Sequence, residues 1–132
     1  MIRGLKGTDL AIHDHGLQAA GIAVLVSGLG LAVWARIHLG RNWGMPMTQK
    51  DEPELVTSGP YRLVRHPIYS GILVGLLGTA LAVNLGWLAA LGVAGAYFLY
   101  SAHVEERILV SAFPTSYPSY RARTKMLIPF VL

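Results

Sequence analysis

Residues 59–69 read Gly-Pro-Tyr-Arg-Leu-Val-Arg-His-Pro-Ile-Tyr, and an apolar run without a charged side chain begins inside this motif. Pro67 lacks a backbone N–H and has a helical φ, so it suits the first turn of a helix. His66 then lies at the mouth of that helix, and Tyr69 lies one turn deeper. The motif therefore predicts that a long apolar helix begins at Pro67, with polar side chains gathered at its N-terminus.

The apolar run covers residues 67–102, which is too long for a single membrane helix. Its thirty-six residues would rise roughly 54 Å, whereas a bilayer core is about 30 Å thick. Asn84-Leu85-Gly86 offers the break. The pattern predicts two spans, at about 67–83 and 87–102, joined by a very tight turn. We expect glycines on both spans to let this hairpin pack closely: Gly71, Gly75, Gly78, Gly92 and Gly95.

A third candidate span lies upstream at residues 16–35, which contain no charged residue. These positions rise roughly 30 Å, and Gly21 and Gly28 would let a neighbouring helix approach closely. The composition favours the same class, because 53% of the 132 residues are hydrophobic and 14% are charged, against about 25% charged in soluble domains. We predict an all-α integral membrane protein, a single domain over residues 1–132 with about three transmembrane helices.

Lysine and arginine are distributed unevenly. Two precede the first span, five lie in the connection to the second, and four follow the third. With three spans, the connection and the C-terminal tail share one face, which holds nine of the eleven. The positive-inside rule makes that face cytosolic. We therefore expect a multi-pass protein of the cell inner membrane. The basic residues flank apolar runs instead of forming one stripe, so the expected partners are membrane lipids and not nucleic acid.

This topology brings the motif close to an acidic pair at the end of the third span. Tyr61, Arg65, His66 and Tyr69 would face Glu105 and Glu106. One histidine and two adjacent acids, in a chain without cysteine, do not make a zinc site. The group suits a small zwitterion with a flat aromatic part, or a sulfonium cation beside the tyrosines. The residue types also fit a plain interface anchor, with arginine in the headgroups and tyrosine in the aromatic belt.

The motif is followed, after the hairpin, by Glu-Glu-Arg-Ile-Leu, then by Phe-Pro and Tyr-Pro-Ser-Tyr-Arg. In this order the elements resemble the isoprenylcysteine carboxyl methyltransferase family, and related phospholipid N-methyltransferases share the Arg-His-Pro and Glu-Glu elements. The resemblance covers roughly residues 36–129. It implies a membrane enzyme that uses S-adenosylmethionine, enclosed at the cytosolic end of the helices by the loop and the C-terminal tail.

Carried over position by position, the resemblance implies a set of cofactor-binding residues: Leu55, Val56, Tyr61, Arg65, His66, Tyr69, Glu105 and Glu106. No catalytic residue is separable from this set, and no metal is expected. The chain departs from the family at Ser101, where eukaryotic carboxyl methyltransferases have an arginine one helical turn before the acid. Members of the family also commonly carry more spans at the N-terminus.

The function that the resemblance implies is methyl transfer to a lipophilic or membrane-associated acceptor, such as the carboxylate of a lipidated molecule. Phospholipid-amine N-methylation is the alternative enzyme activity. A non-catalytic membrane scaffold related to the family is the alternative of a different class, and an oligomer is compatible with each of them. Binding of the cofactor would separate an enzyme from a scaffold, and an acceptor screen would separate the two enzymes.

Overall fold

The computed structural model describes residues 10–40, 55–129 and 132. The described residues form α1 (His15–Leu39), a 3-10 turn (Gly59–Arg62), α2 (Pro67–Ala82), α3 (Trp87–Ala112) and α4 (Ser116–Arg123). Their only β pairings are two isolated bridges. The prediction of an all-α fold is therefore confirmed. The N-terminal segment 1–9 and most of the connection between the first two predicted spans, residues 41–54, lie outside the described residues.

Helices α1 and α2 pack in antiparallel fashion through two pairs of glycines. A Cβ atom on Gly21 would lie 2.7 Å from the carbonyl oxygen of Gly78, and one on Gly78 would lie 2.6 Å from that of Gly21. Gly28 and Gly71 are related in the same way, at 2.5 and 2.6 Å. The two pairs are two helical turns apart on both helices, so they lie on facing stripes and let the backbones touch. This is the close approach expected for Gly21 and Gly28.

The prediction that glycines pack the α2–α3 hairpin is wrong. The α2 glycines face α1, and a Cβ atom on Gly92 or Gly95 of α3 would meet no atom within 4 Å in the part of the chain that is described. The physical reason is the spacing. Gly71 and Gly78 are seven residues apart, as are their partners Gly28 and Gly21 on α1, whereas Gly92 and Gly95 are three residues apart and match no such pair on α2.

Helices α1 and α3 are long and apolar enough to cross a membrane, and only 11% and 6% of the residues in their apolar windows are buried. Helix α2 has 16 residues and rises roughly 24 Å, so the third span remains a prediction. Helix α3 continues ten residues beyond the predicted end at 102. The charged residues after that position end the apolar run, but they do not prevent the helix from continuing. It ends where Phe113, with φ −130°, precedes Pro114, which disfavours helical dihedrals.

The turn between α2 and α3 lies at the predicted break. The backbone N–H of Gly86 donates to the side-chain oxygen of Asn84 at 2.7 Å. At the same end of the bundle, the N–H of Leu85 donates to the carbonyl oxygen of Leu10 at 2.8 Å. The chain entering α1 and the hairpin turn therefore lie together, at the end opposite the motif.

At the other end, the chain returns to the motif after α4. The N–H of Arg65 donates to the carbonyl oxygen of Lys125 at 2.9 Å, and the N–H of His66 donates to that of Met126 at 3.1 Å. Met126 is buried with Ala102 of α3 in an apolar cluster. Four segments thus meet here: the motif, the N-terminus of α2, the polar part of α3 and the C-terminal segment.

Candidate functional site

The 3-10 turn that begins the motif is seated against the end of α1. Gly59 has φ +60°, in the left-handed region that favours glycine. A Cβ atom there would lie 2.6 Å from Nε2 of His38, and Nδ1 of His38 lies 3.2 Å from the hydroxyl oxygen of Ser58. The dihedral favours glycine at this position, and a Cβ atom would also require the ring of His38 to move.

The open side of the site is formed by one acid and a stack of rings. The hydroxyl of Tyr69 donates to Oε1 of Glu105 at 2.5 Å, and the other carboxylate oxygen lies 3.6 Å from Nδ1 of His66. The rings of His66 and Tyr69 are stacked at 5.5 Å between centroids, and those of Tyr69 and Phe98 at 4.5 Å, both at an interplanar angle of 10°. The result is a stack of three aromatic rings with a carboxylate beside it.

The second acid has different surroundings. The side chains of Glu106 and Arg65 are 6% and 9% exposed and form an ion pair through Oε1 and Nε. The same carboxylate oxygen lies 3.5 Å from Nε2 of His66, which is buried and has no hydrogen-bond partner of acceptable geometry among the described residues. Consecutive residues on a helix point about 100° apart, so Glu105 and Glu106 contact different neighbours.

Helix α4 supports the motif through the hydroxyl of one tyrosine. The hydroxyl of Tyr120 donates to the carbonyl oxygens of Tyr61 and Val64, at 2.6 and 3.2 Å. Burial raises the pKa of Tyr120 and also raises the pKa of Tyr61 to about 12, with the Glu105 carboxylate acting on Tyr61 in the same direction. Both phenols are therefore neutral hydrogen-bonding groups at physiological pH.

Six of the eight predicted residues meet at this end of the helices: Tyr61, Arg65, His66, Tyr69, Glu105 and Glu106. Leu55 and Val56 are half-buried. No hydrogen bond, ion pair or ring contact within the described ranges involves either of them, so their part in a cofactor site remains a prediction.

Sequence reasoning missed three aromatic residues of the site. Phe98 lies seven residues before Glu105, which is two turns along the same face of α3. Tyr117 and Tyr120 are three apart on α4 and so share a face. The hydroxyl of Tyr117 is buried without a hydrogen-bond partner in the described structure, and burial together with the nearby Glu106 carboxylate raises its pKa. Helical spacing could have indicated all three, but only once the helix bounds were known.

This arrangement can hold a polar, partly aromatic ligand. Glu105 can accept hydrogen bonds from an amine or from hydroxyl groups, and its side chain is 31% exposed. The rings of His66, Tyr69 and Phe98 offer faces to a planar group or a cation. The unpartnered Nε2 of His66 is a further polar atom for such a ligand or for water.

Comparison with known sequences finds one matched region that includes both the motif and the acidic pair. A family model described as phospholipid methyltransferase matches residues 17–116. The cobalt-zinc-cadmium resistance protein CzcN of Cupriavidus metallidurans is 37% identical over 112 residues, covering 82% of this chain and 51% of that protein. Protein-S-isoprenylcysteine O-methyltransferase B of Arabidopsis thaliana is 30% identical over 115 residues, covering 84% and 58%. The chain thus spans about half the length of these curated relatives.

The fold has a similar solved structure. The eukaryotic intramembrane Ras methyltransferase, an isoprenylcysteine carboxyl methyltransferase, matches with a TM-score of 0.79 and 26% identity, over 89% of this chain and 43% of that chain. An intramembrane neighbour agrees with the length and the exposed apolar surface of α1 and α3. The architecture is therefore that of an all-α integral membrane protein.

Proposed function

The chain belongs to the phospholipid methyltransferase family, and we propose that it transfers a methyl group from S-adenosylmethionine to a lipophilic acceptor at the membrane. The observation that carries this proposal is the meeting of Glu105, Tyr69 and His66 across the helical hairpin. Glu105 is 36 residues from Tyr69 in sequence, and the hairpin brings it to the motif at one end of two apolar helices.

The residues that line the proposed cofactor site fit the cofactor in chemical type. The amino-acid part of S-adenosylmethionine carries an amine, for which the partly exposed Glu105 carboxylate is a suitable acceptor. The stacked rings of His66, Tyr69 and Phe98 suit the adenine and the sulfonium. We assign Tyr61 to the same site because it is buried close to Glu105.

The chemistry requires little from the protein beyond alignment. S-adenosylmethionine supplies a methyl group on a positively charged sulfur, and its transfer to a carboxylate leaves no proton to be removed. The described residues would contribute orientation and exclusion of water. Glu105 is oriented by Tyr69 and His66, and the buried side chains of Met126 and Leu127 close the site on the C-terminal side.

The lipophilic nature of the acceptor is supported by the surroundings of the site. The site lies at the ends of helices whose apolar side chains remain exposed, as expected for contact with lipid. Ser101, one turn before Glu105, replaces the arginine of the eukaryotic carboxyl methyltransferases. Without that arginine, a carboxylate acceptor loses one argument in its favour. An amine acceptor, such as a phospholipid headgroup, is therefore the second candidate.

We also propose a multi-pass orientation in the cell inner membrane, with the site facing the cytosol. Nine of the eleven lysines and arginines lie on the predicted side of the motif and the C-terminal tail, in agreement with the positive-inside rule. The metabolite S-adenosylmethionine would then reach the site from the cytosol, and the acceptor would reach it from the membrane.

The proposal is tested by methyl transfer. The purified protein in lipid vesicles is incubated with methyl-labelled S-adenosylmethionine and, in separate reactions, with a prenylated cysteine analogue and with phosphatidylethanolamine. We expect label in a lipid-soluble product, and much less with Glu105→Gln. Release of the label by mild base identifies a methyl ester, and retention identifies an N-methyl product. Absence of Glu105-dependent labelling with every lipophilic acceptor would contradict the activity.

A further inference from the structure

Arg65 connects three segments that are distant in the sequence. Its Nε donates to Oε1 of Glu106 on α3. Its Nη1 donates to the carbonyl oxygen of Thr124 at 2.8 Å and to that of Arg121 at 3.2 Å, and lies 3.4 Å from the hydroxyl of Thr124. The planar guanidinium has donors in a fixed fork, which suits several acceptors at once. Arg65 therefore ties the motif to α3 and to the C-terminal segment.

Residues 121–127, here called the clasp, continue this attachment along the motif. The clasp accepts backbone hydrogen bonds from Arg65 and His66, and its Leu127 carbonyl oxygen accepts from the hydroxyl of Ser70 at 2.6 Å. The clasp includes the last three residues of α4, and the hydroxyl of Thr124 donates to the carbonyl oxygen of Tyr120 at 2.6 Å, just before the clasp begins. The backbone position of His66 thus depends on the clasp being closed.

The two adjacent acids differ in exposure and in the residues they contact. The side chain of Glu105 is 31% exposed and faces Tyr69 and His66, whereas that of Glu106 is 6% exposed and faces Arg65. A buried carboxylate requires a paired cation, and removal of one partner leaves the other charge buried and uncompensated. The ion pair of Arg65 and Glu106 is consequently part of the scaffold that closes the site.

We propose that Arg65 and Glu106 are positioning residues, whose ion pair holds the clasp over the motif and so fixes His66 for the ligand. The effect on a ligand rests on the proposed function, whereas closure of the clasp does not. Neutralising Glu106 would free the Arg65 guanidinium, loosen the clasp and weaken cofactor binding indirectly. Neutralising Glu105 would weaken binding directly and leave the clasp closed.

The test uses a single cysteine in a chain that has none. Met126 lies in the clasp and is 6% exposed, so Met126→Cys reports opening through its rate of reaction with a hydrophilic maleimide. Hydrogen bonds to charged groups contribute about 1.5–3 kcal/mol, so Glu106→Gln should raise that rate by about tenfold or more. Glu105→Gln and the exposed Arg62→Gln are the matched controls and should leave the rate within about twofold.

The milder variant Arg65→Lys guards against loss of folding. Lysine keeps the charge opposite Glu106, but it cannot hold the carbonyl oxygens of Arg121 and Thr124 in the same fork. We expect a labelling rate between those of the parent and Glu106→Gln, with unchanged helical circular dichroism. If Glu106→Gln loses helicity, the rate of Arg65→Lys tests the proposal in its place. Equal rates in the parent, Glu106→Gln and Arg65→Lys would overturn the proposal, as would an equally large increase with Glu105→Gln. Because labelling is measured without cofactor, failure of the proposed function would not change this result.

Discussion

The hydroxyl of Tyr69 on α2 donates a hydrogen bond to Oε1 of Glu105 on α3, between positions 36 residues apart in the chain. The other oxygen of the same carboxylate faces His66. Glu105 is therefore oriented by two side chains of the motif, while the ring of Tyr69 also stacks on Phe98. This relationship makes the hairpin a requirement of the site, since neither helix alone could orient the acid.

The topology predicts which positions are reached from outside the cell. Single cysteines at Ser58 and Ser119, both exposed, should react with an impermeant thiol reagent only after the cells are opened. A cysteine at Leu10, which is 48% exposed and pairs with the hairpin turn, should react in intact cells. Labelling of position 58 or 119 in intact cells would indicate the opposite orientation, with the site facing away from the cytosol.

The glycine pairs predict a sharp difference between two substitutions on α1. In Gly28→Ala the new methyl group would meet the backbone of Gly71 and Gly75, so the helices must separate. We expect a loss of about 1–3 kcal/mol in the free energy of unfolding, as for other overpacked sites. Gly30→Ala is the matched control, because its methyl group meets no described atom within 4 Å. Thermal unfolding in detergent measures both, and equal melting temperatures would contradict the proposed packing.

Tyr120 is predicted to stabilise the 3-10 turn through its hydroxyl. Tyr120→Phe keeps the ring but leaves the carbonyl oxygens of Tyr61 and Val64 without this donor. The expected loss of stability is about 1–3 kcal/mol, the cost of buried groups left unpaired. Tyr100→Phe, at a position that is 68% exposed, should change stability by less than about 0.5 kcal/mol. Urea unfolding of both variants gives the comparison, and similar midpoints would remove this role from Tyr120.

Much of the fold could be predicted from the sequence because the deciding signals are local. Pro67 starts α2, Asn84 forms the hairpin turn, and the motif with its acidic pair identified the family. The partner of each glycine stripe could not be predicted, because hydropathy does not say which neighbour a helix faces. The contacts of Arg65 with Thr124 and of Tyr120 with Tyr61 were also missed. They join residues nearly 60 positions apart, and only the folded chain reveals such pairs.

The raised tyrosine pKa values predict a loss of stability at alkaline pH. Unfolded tyrosine loses its proton near pH 10, whereas Tyr61 keeps it until about pH 12 in the folded chain. Above pH 10 the unfolded state therefore binds fewer protons than the native state, so the free energy of unfolding falls as pH rises toward 12. Tyr61→Phe should show a shallower fall than Tyr100→Phe in chemical unfolding between these pH values. Identical slopes would indicate that Tyr61 is not protected from ionisation.

The central claim is that this site holds S-adenosylmethionine through Glu105, and titration calorimetry on the purified protein tests it most directly. We expect the parent protein to bind both S-adenosylmethionine and S-adenosylhomocysteine, which share the amine that Glu105 would accept. Loss of one charge-assisted hydrogen bond of about 1.5–3 kcal/mol should weaken binding to Glu105→Gln by roughly ten- to a hundredfold, with Arg62→Gln unchanged. A folded parent protein that binds neither compound at millimolar concentration, or a Glu105→Gln variant of unaltered affinity, would contradict the account.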